Sequence, residues 1–216
     1  LEEYREQRAS NADLPAATTE RPDVRLERHA TRPAVFLDRD GTIIEERGYI
    51  DRLDMLSLFP WTGDALRLLK RAGFATVVIT NQSAIGRGII DEAFLDAVHQ
   101  EIDRRLAPSH AAIDRYYYCP HLPDSTIERY RRACRCRKPS PGLVEQACRE
   151  MDLDPARSVM VGDRWLDVAC ARAAGTRAVL VRSGHGRHEE AAPPADVRAD
   201  AILDNLMEAV GWILRA

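Results

Sequence analysis

The sequence predicts an α/β fold: a doubly wound, mostly parallel sheet with helices on both faces. Two observations carry that reading. Short β-branched apolar runs alternate with longer segments whose apolar residues recur at helical spacing. Polar, chemistry-bearing residues follow directly on those runs, at the strand ends where open parallel sheets bind their ligands. At 216 residues the chain is long enough for one such domain with a sizeable core.

Taken in order, residues 1–33 form a polar N-terminal extension with three prolines and few large apolar residues. They read as a flexible, solvated segment with one or two helical turns near residues 2–8, or else as a docking arm for a partner. Residues 34–216 read as a single domain. Ala34–Leu37 is a short buried strand. Residues 63–72 form a helix stopped by Gly73, residues 74–79 a strand, 91–106 a helix and 113–118 a strand. A helix over 141–151 starts with proline in its first turn. Then come a strand at 158–161, a helix over Trp165–Ala174 ended by Gly175, and strands at Arg177–Val181 and Ala201–Leu203. A last helix covers 205–214.

The totals exclude several classes. A formal net charge of −3 gives no general attraction to nucleic acid or to an anionic membrane. No apolar run approaches the roughly 20 residues of a membrane span. No signal-peptide pattern opens the chain, although it begins at Leu1 rather than Met, so that absence carries little weight. Five cysteines, an odd number, do not suggest a disulfide framework. A cytoplasmic monomer is expected.

The strand ends hold the chemistry. Asp38 and Asp40 follow the first strand in DRDGT, and Thr80-Asn81-Gln82-Ser83 follow the second. Arg137 and Lys138 precede the 141–151 helix, and Asp163, Arg164 and Asp167 follow the 158–161 strand. Each has an ordinary reading alone: Asp-Gly is a common turn, Thr-Asn a loop start, Gly162-Asp163 a helix cap. Together they bring carboxylates, a hydroxyl, an amide and a lysine to one crevice. Carboxylates suit Mg²⁺, and lysine with a threonine hydroxyl suits phosphoryl oxygens. One carboxylate can attack phosphorus while the second moves a proton.

These motifs resemble the haloacid-dehalogenase-like hydrolases, with DRDGT, TNQS, RKP and GDRWLD as their first to fourth motifs. The resemblance covers residue 34 to the C-terminus. It implies Asp38 as nucleophile, Asp40 as general acid/base, and Thr80 and Lys138 as stabilisers of the transferring phosphoryl group. It also implies Mg²⁺ held by Asp38, Asp163 and the backbone carbonyl of Asp40. Asp167 either reaches the metal or orients Lys138, and the second is preferred.

Residues 119–138 narrow the reading. Cys119, His121, Cys134 and Cys136 form C-x-H-x12-C-x-C, a full tetrahedral set for structural zinc. Cys148 and Cys170 read as small core residues. His29, His99, His110, His185 and His188 have no defensible ligand spacing. About 40 residues separate Asp38 from Thr80 and under 60 separate Thr80 from Lys138, too few for a cap domain beside the expected elements. Short loops at an open mouth must then select the substrate.

This pattern is similar to a capless, zinc-containing branch that holds the heptose bisphosphate phosphatases and the histidinol-phosphate phosphatases, and it fits the heptose group better. That similarity implies substrate contacts from Glu46, Arg47, Gly48, Tyr49, Asn81, Gln82, Ser83, Arg137 and Arg164, and removal of the 7-phosphate of a heptose 1,7-bisphosphate. Arg164 stands where the heptose group has Lys, and Arg47 where His is frequent. Histidinol phosphate is the alternative substrate. A polynucleotide 3′-phosphatase, or a zinc-loop module that docks nucleic acid or protein through the basic run Arg129, Arg131, Arg132, Arg135, Arg137 and Lys138, is a more distant alternative.

Overall fold

The computed structural model describes residues 31–215; the expectations for residues 2–8, for His29 and for the rest of the extension before Thr31 lie outside it. Six parallel strands form one sheet: β1 (Ala34–Leu37), β2 (Ala75–Asn81), β3 (Arg115–Cys119), β4 (Val159–Gly162), β5 (Arg177–Val181) and β6 (Ala201–Leu203). Their order is β3-β2-β1-β4-β5-β6. The order reverses at β1, so β1 and β4 flank the switch point where a crevice opens at the strand ends.

Alternation along β1 explains the three layers. Val35 and Leu37 face one core, and Ala34 and Phe36 the other, all four fully buried. The first core is closed by α1 (Thr62–Arg71), α3 (Glu92–Leu106) and α7 (Leu206–Ile213) through residues such as Leu66, Ile102 and Val210. The second is closed by α4 (Gly142–Met151) and α5 (Trp165–Ala174) through Val144 and Ala171. Gly73 ends α1 in a Schellman motif: it sits at φ +85°, its N–H donates to the carbonyl of Lys70, and that of Phe74 donates to Leu69.

Differences from the expected boundaries are small and have local causes. β2 runs on to Asn81 because Gln82 N–H still donates to the Cys119 carbonyl. Pro141 occupies the cap position of α4 rather than its first turn. Arg32 and Pro33, grouped with the extension by composition, are paired into the domain through Asp152, Asp154 and Ala75. Two short helices were not foreseen, α2 (Ser83–Gly86) and α6 (Gly186–Ala191); four and six residues give periodicity too little to read. Among the described residues no helix is long and apolar enough to cross a membrane.

Candidate active site

Asp38 leaves β1 with its N–H donating to the Val161 carbonyl of β4, 2.9 Å away. That fixes its carboxylate at the switch point. Gly41 follows at φ +78°, and a Cβ there would collide with the Asp163 carboxylate. Only glycine lets the first motif turn this close to the fourth.

Lys138 arrives from the far side, its ammonium buried among three oxygens: Asp38 Oδ1 at 2.6 Å, Asp167 Oδ1 at 2.7 Å and the Ile79 carbonyl at 2.8 Å. Burial alone would lower its pKa, but Asp167 and then Asp38 outweigh burial, and the net shift is upward. The lysine stays charged. The carboxylates are less comfortable. Burial pushes Asp38 up to about 6 against the pull of Lys138, with repulsion from Asp167 and Asp40 adding to it; burial, then repulsion from Asp38 and Asp167, pushes Asp163 up to about 8.

Oxygens of Asp38, Asp163 and Asp167 lie within 4.8 Å of one another. Asp163 Oδ2 accepts the His185 N–H at 2.7 Å, whereas its Oδ1 is buried with no partner. Asp167 Oδ2 accepts the Arg164 N–H at 3.1 Å while Oδ1 faces Lys138. Three clustered carboxylates, one lysine and an orphaned oxygen fit a hard divalent cation. Asp163 Oδ1 has neither a hydrogen bond nor a cation beside it, whereas Asp167 Oδ1, also without a well-aligned hydrogen bond, lies 2.7 Å from the Lys138 ammonium.

The second motif supplies the opposite wall. Thr80 is buried at the end of β2. Asn81 clamps the Lys138 backbone reciprocally: Nδ2 donates to its carbonyl at 3.1 Å and Oδ1 accepts its N–H at 3.0 Å. Gln82 donates to Asp40 Oδ2 at 3.0 Å and to Thr80 Oγ1 at 2.8 Å, and accepts from Arg39 at 3.0 Å. Both amides, expected to touch substrate, have every one of these polar atoms spent on the protein.

A cavity of about 540 Å³ opens over these groups, lined also by Glu46, Arg47, Gly48, Tyr49, Ser83, Arg137, Arg164 and His185. That is the size of a small-molecule site. Residues 46–49 are brought there by a return segment in which Ile44 pairs with Leu58 and the Glu45 N–H donates to Ser57.

Cys119 ends β3, and His121, Cys134 and Cys136 close round it. Sulfur separations are 3.1 to 3.5 Å, and His121 Nδ1 is 3.2 Å from Cys136 Sγ. A zinc tetrahedron has S–S edges of roughly 3.8 Å, so the four donors need only a small outward relaxation. All five cysteines are free thiols. Tyr118 and Tyr130 hydroxyls both donate to Glu92, tying this loop to α3. Cys170 is buried against α5's core, and Cys148 is half-buried at the same core's edge.

Comparison with known proteins agrees with this geometry. A family model described as HAD-hydrolase-like matches residues 135–209. D-glycero-β-D-manno-heptose-1,7-bisphosphate 7-phosphatase of Escherichia coli K12 is 43% identical over 178 residues, covering 82% of this chain and 91% of that protein. The Haemophilus ducreyi enzyme of the same name is 37% identical, covering 84% and 98%. The chain belongs to the heptose-1,7-bisphosphate 7-phosphatase family of the HAD-like hydrolases. The crystal structure of the D,D-heptose 1,7-bisphosphate phosphatase from B. bronchiseptica, complexed with magnesium and phosphate, superposes with TM-score 0.74 at 32% identity, covering 85% of this chain and 98% of that one.

Two polar pocket residues of this family member, Arg39 and His185, escaped the sequence reading, as did the apolar Ile50, Ala84 and Leu166. His185 was set aside for lack of ligand spacing, yet its ring lines the cavity, with Nε2 3.6 Å from Glu46 Oε2. The signal available was its place three residues after Arg182 at the end of β5, another strand end. Arg39, between the two motif aspartates, was read past as part of the motif.

Proposed function

We propose that this chain hydrolyses the 7-phosphate of D-glycero-D-manno-heptose 1,7-bisphosphate through an aspartyl-phosphate on Asp38. The observation that carries the reading is Lys138, locked between Asp38 and Asp167 at the strand ends: it leaves Asp38 as the carboxylate open to the cavity beside a cation.

In the first half-reaction an Asp38 oxygen attacks phosphorus, and the bond to the sugar oxygen breaks as Asp40 supplies that oxygen with a proton. In the second, water attacks the same phosphorus, gives its proton to Asp40, and Asp38 departs as carboxylate. Lys138 and the Thr80 hydroxyl face the charge on the phosphoryl oxygens. Asp38, Asp163 and the Asp40 carbonyl would hold Mg²⁺, which supplies charge neutralisation to the phosphoryl group. Asp167 orients Lys138. Cys119, His121, Cys134 and Cys136 would hold zinc and thereby fix Arg137 and Lys138, which follow directly in the chain.

Glu46, Arg47, Gly48, Tyr49, Ser83, Arg137 and Arg164 contact the sugar and its distal phosphate, and His185 joins them. Asn81 and Gln82 line the same cavity and brace Lys138 and Asp40. The relatives' names favour the β anomer. Phosphate release with Mg²⁺ from heptose 1,7-bisphosphate and from histidinol phosphate, side by side, tests the reading. An excess on the bisphosphate of about 100-fold or more in kcat/KM is expected. A preference for histidinol phosphate overturns the substrate assignment and leaves the chemistry standing.

A further inference from the structure

Arg39 is a buried cation that none of the roles above employs. Its side chain is 4% exposed. Nε lies 3.1 Å from Asp40 Oδ2, and Nη2 lies 2.9 Å from Asp40 Oδ1 and 3.0 Å from Gln82 Oε1. Gln82 in turn reaches Asp40 Oδ2 and Thr80 Oγ1. Asp40 thus has both oxygens gripped by one guanidinium, and a neighbouring amide braces the grip against Thr80. The arrangement is expensive, because Nη1 of Arg39 is buried without a partner. Beside it His99, stacked on Tyr116 at 4.2 Å, is pushed down to about 3 by burial and then by the Arg39 charge, so it offers no cation. A structural arginine would be better satisfied; this one is aimed at a single carboxylate.

We propose that Arg39 is a positioning residue that aligns Asp40 for proton transfer to the departing sugar oxygen. The inference rests on the reading of Asp40 as proton donor. As the Asp38–phosphorus bond forms and the bond from phosphorus to the sugar oxygen breaks, the electron pair moves to that oxygen and the proton leaves Asp40. Negative charge then grows on the Asp40 carboxyl, directly opposite a guanidinium that is already in place and needs no reorganisation. In the return step the carboxylate stays in the same grip while it takes the proton of the attacking water.

Leaving-group dependence separates this from a packing role. The sugar alkoxide needs the proton; the nitrophenolate of p-nitrophenyl phosphate leaves without one. Hydrolysis of the aspartyl-phosphate is common to both esters, so the readout is kcat/KM, which reports departure of the leaving group: Arg39→Met should lower it on the heptose bisphosphate on the order of 100-fold, and on p-nitrophenyl phosphate by less than about 10-fold. Arg39→Lys keeps the charge but not the fork and should fall between wild type and Arg39→Met. Asp40→Asn should show the same skew, larger. Gln82→Leu leaves Arg39 in place, so it keeps the test alive where Arg39 variants fail to fold; a skew of about 5-fold is expected. Equal losses on both esters in the Arg39 or Gln82 variants, with Asp40→Asn skewed, overturn the positioning role alone. An unskewed Asp40→Asn overturns the proton-donor reading and this inference with it.

Discussion

Among the described residues, two clusters of side chains could hold a metal ion, and they are built from opposite materials. At the switch point, Asp38 and Asp167 pair with one lysine and Asp163 lies beside them, all buried, where loops and the first turn of α5 leave the stiff centre of the sheet. At the sheet's edge, three cysteines and a histidine close a loop whose own apolar contacts are few. The first cluster gathers charge that folding would rather leave in water. The second gathers soft, weakly polar donors that cost little to bury. A carboxylate cluster therefore works against the fold, and a thiolate cluster works for it. The difference predicts which perturbation should damage activity and which should damage stability.

The sharpest break between them is Asp38→Asn. Turnover should fall at least about 10⁴-fold, the scale of losing a covalent nucleophile. The fold should survive, and the thermal midpoint should not drop, because a strained carboxylate is removed. Residual phosphate release above that level from the folded variant would remove Asp38 from the nucleophile's place.

Lys138→Met sets the two demands against each other. It leaves Asp38 and Asp167 buried without their cation, a change of about 3–5 kcal/mol against the folded state. Urea unfolding measures it, and a loss below about 1 kcal/mol would mean the three carboxylates protonate or rehydrate at no cost.

Metal-free protein extends the comparison to pH. Asp38 and Asp163 have folded pKa values raised to about 6 and about 8, above the ordinary carboxylate value. The folded state thus binds protons that the unfolded state releases, and its stability falls as pH rises from about 4 through 8. Added Mg²⁺ should remove much of that slope. A midpoint that rises across the same range in stripped protein would contradict the strain assigned to this cluster. The thiol cluster breaks the other way: Cys134→Ser should abolish the zinc binding proposed for this loop and cost about 2–4 kcal/mol, a fall of roughly 5–15 °C. Turnover at low temperature should fall far less than in Asp38→Asn.

The same contrast governs what the sequence disclosed. Motifs at strand ends were legible because covalent spacing places them: β1 must deliver Asp38 and Asp40 two residues apart, and C-x-H-x12-C-x-C can close only on itself. The direction in which a polar side chain points was not legible. Asn81 and Gln82 stand in a motif read as touching substrate, yet their amides turn inward to Lys138 and to Asp40. Whether an amide faces a ligand or a neighbour depends on partners 57 and 42 residues away, and no local pattern encodes that. His185 was invisible for a related reason: its role comes from the return of β5 beside β4, where its N–H meets Asp163.

The smallest effect tests whether the loop is held by donors or by charge. Arg135 lies between Cys134 and Cys136 and pairs with Glu145 at 3.0 and 3.2 Å, but its side chain is 80% exposed. Solvent screening leaves such a pair worth about 0–0.5 kcal/mol. The part of Arg135 that matters is its backbone carbonyl, which accepts the Gly142 N–H at 2.9 Å and starts α4. Arg135→Ala keeps that carbonyl and both flanking thiols. It should shift stability by less than about 0.5 kcal/mol and leave zinc content at one per chain. A loss of 2 kcal/mol or more, by that scale (~0.5 for a surface pair), would mean the surface ion pair closes the loop. The cysteines would then be passengers, and the contrast between a cluster that opposes folding and one that supports it would fail on its second half.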